Sequence, residues 1–281
     1  MASTDPAADL VALNARLPTG EYLTAMWARR DLAWALPVEE VRAAHQNTLL
    51  GNVWHLANPM LSVAIYYLVF GVMLNVSSSI DNYVLWLMIG VFSFNLTTKC
   101  ILGGATSISS NQGLMRSIRF PRALLPVSVI VSKLLTFGFE LAVLAAVAVF
   151  TGASINSRWL LLPLVVALHS ALNLGGAFIA ARLNDSFRDV EQIIPFVLRL
   201  LQYLSGVMFP LGQFLGNAHS GWLTTLIRAN PLVAVLDLYR WVFLGTAVTP
   251  GELFRLVVTT AVLLVFGFYY FRSAESRYGL A

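Results

Sequence analysis

Six apolar stretches, each long enough to cross a bilayer, dominate this sequence. A transmembrane helix needs about 20 predominantly apolar residues, and the six stretches lie at about 58–74, 83–105, 123–150, 159–181, 190–211 and 252–271. The composition agrees, because 58% of the residues are hydrophobic, 11% are charged and the mean hydropathy is +0.73. A soluble core does not need so many apolar residues. We therefore predict an all-α integral membrane protein with six transmembrane helices and no separate soluble domain.

The arginines are unevenly divided between the two sides of the predicted bundle. Eleven lie in the N-terminal segment, in the loops after spans two and four, and in the tail, whereas four lie on the other side. The positive-inside rule then places both termini in the cytoplasm. The net charge of +4 is explained by this topology, so nucleic-acid binding is not predicted. We divide the chain into a cytoplasmic N-terminal segment, 1–58, and a six-helix membrane domain, 59–281. The first 25 residues have no apolar run of signal-peptide length, so we expect no cleaved export signal.

Two shorter segments have helical patterns that do not suit a membrane span. Residues 37–54 alternate apolar and polar faces, and we predict a helix on the membrane surface that begins at Pro37, with Glu39 and Glu40 at its N-terminus. Its function is open between a membrane anchor and a docking surface. Residues 232–244 are apolar but too few to span the bilayer, so we predict a short interfacial or re-entrant helix.

Charged residues inside the spans are costly in lipid and usually mark function or a buried pair. They are Lys99, Lys133, Glu140 and Arg199. The two lysines can extend toward the cytoplasm. Glu140 and Arg199 lie deeper, and we predict a salt bridge between them that joins spans three and five. A second interpretation of Arg199 is diphosphate binding.

Small residues in spans two and four predict close helix packing. The two runs are Gly103-Gly104-Ala105 and Gly175-Gly176-Ala177. Cys100 is the single cysteine, which excludes an internal disulfide and a cysteine zinc site.

The sequence lacks the loop with which many transport ATPases bind nucleotide. That loop needs glycines followed by Lys-Ser or Lys-Thr. The only lysines, Lys99 and Lys133, precede Cys100 and Leu134. ATP therefore cannot be bound here by that route.

Four short motifs occur in one order along the chain. They are Leu50-Gly51-x-x-Trp54 followed by Pro59; Asn111-x-x-Leu114 followed by Ile118-Arg119-Phe120-Pro121-Arg122 and Leu125-Pro126; Phe187-Arg188-Asp189-Val190; and Asn230-Pro231 followed by Tyr239-Arg240. In these motifs and in its topology the chain resembles the ABC-2 type permeases that export polysaccharides and teichoic acids. Within that family it is most similar to the Wzm-like O-antigen permeases, especially the actinobacterial galactan exporters.

The resemblance implies a transport subunit of the bacterial inner membrane that is not itself an enzyme. It implies a homodimer of this chain joined to two copies of a separate ATPase, which would bind ATP and Mg²⁺; this chain would carry no cofactor. The substrate would be a polyprenyl-diphosphate-linked glycan of the galactan or O-antigen type, moved outward at the dimer interface.

The resemblance also implies which residues contact the ATPase and where gate helices lie. The ATPase contact would be formed by Glu39, Arg42, Arg116, Arg119, Phe120 and Arg188. Short gate helices are implied in region 212–251. Many relatives have proline directly after the serine at position 205, whereas this chain has Gly206, which permits a bend.

A glycan passage needs aromatic rings, because sugar C–H groups pack on them while hydroxyls exchange polar partners. The same residues also serve as interfacial anchors and helix contacts. The candidates are Tyr66, Tyr67, Phe70, Phe92, Tyr203 and Phe209.

Two alternative classes are a membrane phosphotransferase and an ion-coupled secondary transporter. Asp185 and Asp189 have the spacing of a carboxylate pair in a membrane phosphotransferase, but 153–184 contains no further acid. We therefore expect Asp185 to cap a helix after span four. A secondary transporter driven by an ion gradient would depend on Glu140, and no internal repeat of that class is evident.

Overall fold

The computed structural model describes residues 18–43, 54–153, 156–211 and 230–278, together with residues 221, 225, 227 and 229. Every regular element within these residues is helical, as predicted. The helices are α1 Thr19–Ala28, α2 Arg30–Ala43, α3 Trp54–Tyr66, α4 Tyr83–Thr106, α5 Gln112–Ser117, α6 Leu124–Phe150, α7 Leu162–Ser186, α8 Val190–Leu204, α9 Pro231–Leu244 and α10 Pro250–Arg272.

Five helices in the described residues are long and apolar enough to cross a membrane. They are α3 with its π-helical continuation Tyr67–Met73, α4, α6, α7 with the 3-10 turn Ser157–Leu161 before it, and α10. They correspond to five of the six predicted spans. The remaining prediction, 190–211, corresponds to α8, which has 15 residues. A helix of that length rises about 22 Å, less than the hydrocarbon core of about 30 Å.

The prediction of a helix that continues to residue 211 was wrong, because α8 ends at Leu204. Two residues later Gly206 has a φ of 67°, in the left-handed region that glycine adopts without steric cost. A side chain there would also meet Leu211, whose Cγ lies 2.7 Å from an ideal Cβ position. The bend that Gly206 was expected to permit is present.

Helix α4 is the centre of the bundle, with α3, α6, α7, α8 and α9 packed around it. The small residues allow this close packing, as predicted. An ideal Cβ on Gly104 would lie 2.5 Å from the Cβ of Ala177, so α4 and α7 touch there. Helix α7 crosses α10 equally closely, because a Cβ on Gly267 would lie 2.4 Å from the carbonyl oxygen of Gly175.

The short helix predicted at 232–244 is present as α9. Asn230 caps it by accepting a hydrogen bond from the N–H of Leu232, Pro231 occupies the first turn, and Gly245 ends the helix with a φ of 72°. Its 14 residues pack against α4, α7 and α10. Most of region 212–229 lies outside the described residues.

The N-terminal segment differs from the prediction. Pro37 lies inside α2, which begins at Arg30 with Asp31 in its first turn. A proline in a helix costs one backbone hydrogen bond and some strain. The residues from Arg30 to Leu36 are mostly good helix formers, and α2 packs against α6, which offsets that cost. The helix therefore runs through the proline, and residues 44–53 of the predicted surface helix lie outside the described part of the chain.

The two ends of the bundle are named by residues that lie there. At the Arg122 end, α4 ends, α6 begins, α7 ends and α10 ends. At the Tyr83 end, the ring of Trp159 before α7 contacts the ring of Phe243 at 5.1 Å. Tyr83 there donates a hydrogen bond to the carbonyl oxygen of Met208.

Candidate functional site

The loop between α4 and α6 forms a basic surface at the Arg122 end. Arg116 and Arg119 are exposed and Phe120 is half-buried. Met115, Ile118, Arg119, Phe120 and Arg122 line a cavity of about 110 Å³. The loop thus presents three of the residues predicted to contact an ATPase.

The other predicted contact residues lie on different elements. Arg188 is exposed in the turn between α7 and α8. Glu39 and Arg42 belong to α2, and their side chains fall outside the described residues. The structure therefore presents an exposed basic loop and an exposed Arg188.

Three distant parts of the sequence meet behind this loop. The Tyr22 hydroxyl donates to Glu275 Oε1 at 2.7 Å, and the backbone N–H of Arg122 donates to the same oxygen at 2.9 Å. The Arg122 guanidinium donates to the carbonyl oxygen of Glu275, and the N–H of Ala123 donates to the Tyr22 oxygen at 3.2 Å. Burial, together with the Glu275 charge, raises the pKa of Tyr22 above its ordinary value, so its hydroxyl stays protonated as a donor.

Sequence reasoning missed this cluster. Tyr22 and Glu275 are 253 residues apart, so no local spacing connects them. The one available signal was Glu275 itself, an acidic residue in a C-terminal tail whose other charged residues, Arg272 and Arg277, are basic.

The predicted salt bridge between Glu140 and Arg199 was wrong. Glu140 Oε1 lies 2.7 Å from Lys99 Nζ, which joins α6 to α4. Arg199 is exposed on α8 instead. Lys133 is half-buried on α6, and its Cε lies 3.6 Å from an ideal Cβ position on Gly103. Lys99 thus forms an ion pair inside the bundle.

A second buried polar cluster lies in the same bundle and was not predicted. His169 Nε2 is 2.8 Å from the Thr97 hydroxyl, and its Nδ1 is 3.3 Å from the Tyr239 hydroxyl. The cluster joins α4, α7 and α9 with satisfied hydrogen bonds. Buried networks of this kind fix one packing arrangement.

The predicted aromatic residues differ in their exposure. Tyr67 and Tyr203 are exposed, at 37% and 44% of their surface. Phe70 is half-buried, with its ring centre 6.1 Å from that of Phe209. Tyr66 is also half-buried. Phe92 is fully buried in the core and cannot touch a molecule outside this chain.

The segment that follows α8 is held by side chains from α4 and from α9 with its N-terminal cap. Asn230 donates to the Ser205 hydroxyl at 2.9 Å, and Arg240 donates to the carbonyl oxygen of Gly206 at 2.8 Å. Tyr83 donates to the carbonyl oxygen of Met208 at 2.7 Å. The Arg240 guanidinium also lies 3.6 Å from the ring centre of Trp86. These contacts hold an irregular segment of backbone in place.

A groove of about 790 Å³ separates α8 from α4 and α7. Its walls are almost entirely aliphatic, with Val197, Leu201 and Leu172 among them. Asn173 also reaches the groove, and its Nδ2 atom is buried without a hydrogen-bond partner among the described residues. A sugar in this groove would leave its hydroxyls unpaired, which is costly. The groove is therefore unsuited to a glycan.

Helix α8 has a polar stripe on the side opposite the groove. At 100° per residue, Gln192, Arg199 and Tyr203 fall on one side of the helix, and all three are exposed. A charged side chain facing lipid is expensive. If α8 crosses a membrane, this face would require water or another protein surface.

The acidic pair considered for an enzyme is not arranged for a metal. Asp185 lies within α7, where it pairs with Arg182 at 3.8 Å, so the expected cap was wrong. The side chain that joins α7 to α8 belongs to Asn184, whose Oδ1 accepts from the N–H of Glu191 and whose Nδ2 donates to the carbonyl oxygen of Ala105. Among the described residues, no group of three or more His, Cys, Asp or Glu side chains is placed to hold a metal ion.

Comparison with known proteins gives a family and several relatives. A profile of the family described as ABC-2 type transporter matches residues 32–244. The O-antigen export system permease protein RfbA of Myxococcus xanthus is 27% identical over 240 residues, which cover 85% of this chain and 90% of that protein. The RfbA protein of Klebsiella pneumoniae is 24% identical over 249 residues, covering 88% and 93%. The polysialic acid transport protein KpsM of Escherichia coli is 25% identical over 250 residues, covering 86% and 92%.

Proposed function

Because this chain belongs to the ABC-2 type transporter family, we propose that it is the permease subunit of an ATP-driven exporter of a lipid-linked polysaccharide. Such subunits are transport proteins and not enzymes. ATP and Mg²⁺ would be bound by a separate ATPase chain, and this chain would need no cofactor. The names of its relatives, which include O-antigen export permeases and a polysialic acid transport protein, support a polysaccharide substrate.

The proposed topology has six crossings, with both termini in the cytoplasm of a bacterial inner membrane. Support for the crossing at α8 comes from its two ends. Its first turn is tied to Asn184 at the Arg122 end, and the segment after it bonds Tyr83 at the other end. Residues 205–211 would complete the crossing in a non-helical form, which is tolerated where the backbone is covered by protein.

The Arg122 end is the cytoplasmic side in this proposal, because the basic loop and Arg188 lie there. This end would also receive the ATPase. The contact would include Arg116, Arg119, Phe120 and Arg188, with Glu39 and Arg42 contributing from α2.

The polar stripe of α8 carries the proposal that the transporter contains two copies of this chain. Arg199 and Gln192 are exposed on α8, so a second copy facing this surface would give them an aqueous or protein environment. The apolar groove on the other side of α8 cannot serve as the passage. We place the passage between the two copies.

The aromatic residues near that surface suit a passing glycan. Tyr67 and Tyr203 are exposed, and the pair Phe70–Phe209 joins α3 to the segment after α8. Sugar C–H groups pack on such rings and leave them readily. Tyr66, half-buried on α3, is the fifth member of the proposed lining, from which Phe92 is omitted. Arg199, the cation of the α8 stripe, would attract the diphosphate of a polyprenyl-diphosphate-linked glycan, and a galactan is the type that we propose.

Helix α9 would form part of a gate on the outer side. Its start is tied to Ser205 through Asn230, and near its end Phe243 contacts Trp159. The last turn of α9 thus lies at the Tyr83 end, and its start is joined to the segment after α8.

The test is to isolate the chain from its native membrane together with bound proteins and lipids. We expect a stoichiometric ATPase, ATP hydrolysis by the complex, and accumulation of a lipid-linked glycan on the cytoplasmic side when this chain is depleted. A partner ATPase with its phosphate-loop lysine replaced should assemble but not export. A chain that binds no ATPase and whose depletion leaves lipid-linked glycans unchanged would contradict the proposal.

A further inference from the structure

The cavity in the basic loop has the size of one side chain. Its volume is about 110 Å³, whereas sites for drug-sized ligands and cofactors usually measure about 300–1,000 Å³. Its lining combines three apolar side chains, Met115, Ile118 and Phe120, with two arginines, Arg119 and Arg122, which we call the rim. This combination fits the stem and carboxylate of an acidic residue.

The exposed arginines of the basic loop lack an acidic partner in the part of the chain that the structure describes. No Asp or Glu occurs between Lys99 and Glu140, and within the described residues neither Arg116 nor Arg119 forms an ion pair. The nearest acids are occupied, since Glu275 bonds Tyr22 and Arg122 while Asp185 pairs with Arg182. A carboxylate from another protein would therefore be attracted to the rim.

One arginine of the rim, Arg122, is also fixed in place before any partner arrives. Glu275 holds Arg122 twice, through the backbone N–H to Oε1 and through the guanidinium to the Glu275 carbonyl oxygen. The Tyr22 hydroxyl donates a hydrogen bond to Glu275, and the Arg272 guanidinium lies 4.6 Å from the Tyr22 ring centre. A site held in its bound shape loses less entropy on association.

From this geometry we propose that the cavity is a socket for an acidic side chain of the ATPase subunit, and that Tyr22 and Glu275 position it. The socket rests on the proposed function, because it needs a partner ATPase. It specifies that the contact is made by a carboxylate of the ATPase. It also gives Tyr22 and Glu275 the role of positioning the socket.

The first test is charge reversal at the rim. The full chain is expressed with its ATPase as wild type, Arg119→Glu or Arg29→Glu, and the ATPase retained on the purified permease is measured. Arg29 is an exposed arginine beside α1 and outside the loop, so Arg29→Glu makes the same charge change elsewhere. We expect Arg119→Glu to weaken retention by about tenfold or more, because like charges face each other at the contact, while Arg29→Glu retains the ATPase as wild type does.

A second experiment identifies the occupant. ATPase variants that restore retention to Arg119→Glu are selected, and we expect an Asp or Glu replaced by Lys or Arg. Restoring changes confined to apolar positions would overturn the acidic-side-chain assignment. Wild-type retention of the ATPase by Arg119→Glu, with weaker binding of the permease to vesicles of anionic phospholipid, would instead assign the socket to lipid headgroups. Failure of the wild-type chain to retain any ATPase would contradict the proposed function itself.

The positioning residues are tested with paired substitutions. Glu275→Gln keeps an oxygen that accepts from Tyr22 and from the Arg122 N–H, whereas Glu275→Ala does not. We expect Glu275→Ala and Tyr22→Phe to weaken ATPase retention several-fold at unchanged permease abundance, and Glu275→Gln to retain most of it. Equal retention by Glu275→Ala and wild type would overturn the positioning assignment, as would equal loss in Glu275→Gln and Glu275→Ala.

Discussion

Lys99 Nζ lies 2.7 Å from Glu140 Oε1 and ties the central helix α4 to α6 within the bundle. The two partners differ in environment, because the side chain of Lys99 is 34% exposed and that of Glu140 is 1% exposed. The other carboxylate oxygen of Glu140 has no hydrogen-bond partner among the described residues. Among the described residues, Lys99 is therefore the hydrogen-bond partner that stabilises the Glu140 carboxylate.

Replacing Glu140 with alanine should destabilise the chain, since Lys99 would lose its partner. Breaking a buried pair costs about 3–5 kcal/mol, and we expect the lower end of this range because Lys99 is partly exposed. Thermal unfolding in detergent measures the effect. The exchange Lys99→Glu with Glu140→Lys should recover part of the loss, and a double variant no more stable than Glu140→Ala would show that the pair is not the source of the effect.

Glu140→Gln separates two ways of driving transport. Glutamine still accepts a hydrogen bond from Lys99 but cannot bind and release a proton. An ATP-driven exporter should keep part of its export activity, whereas an ion-coupled transporter that uses this acid should lose all of it. Export of glycan by cells carrying the variant at wild-type abundance is the readout, and complete loss would favour ion coupling.

The crossing of α7 and α10 should tolerate no side chain at Gly267. Its Cβ would lie 2.4 Å from the carbonyl oxygen of Gly175, so Gly267→Ala should cost about 1–3 kcal/mol through overpacking. Gly138→Ala is the matched control, because a Cβ there meets nothing within 4 Å. Unfolding temperatures in detergent should fall only for Gly267→Ala; an equal effect in both variants would refute the close crossing.

Arg240→Lys should loosen the segment after α8. Lysine keeps the charge but loses the planar stack on Trp86 and the directed bond to the carbonyl oxygen of Gly206. Backbone hydrogen exchange at 206–209 should then become faster, while exchange in the middle of α10 should not change. Unchanged exchange in that segment would show that Tyr83 and Asn230 hold it without Arg240.

The spans were predictable where hydrophobicity decides the outcome. Apolar length identified α3, α4, α6, α7 and α10, and small residues identified the close crossings at Gly104 and Gly175. These properties depend on local sequence and on the bilayer thickness.

The long-range pairings were not predictable in the same way. Glu140 had two candidate cations in α4 and α8, and only the rotation of the helices selects Lys99 over Arg199. The contact between Tyr22 and Glu275 depends on how α1 is placed relative to the residues that follow α10. At Pro37 a local rule predicted a helix start, but packing of α2 on α6 prevailed.

The central claim is that ATP hydrolysis in a partner chain drives a lipid-linked glycan through two copies of this protein. The most direct measurement is made on proteoliposomes that contain the permease, its ATPase and a lipid-linked galactan, with the glycan on the far side detected by an impermeant glycosidase or lectin. We expect glycan to reach the far side only when ATP and Mg²⁺ are present. It should still do so when ionophores collapse the ion gradients. Translocation that proceeds without ATP and stops when the ion gradient collapses would contradict it.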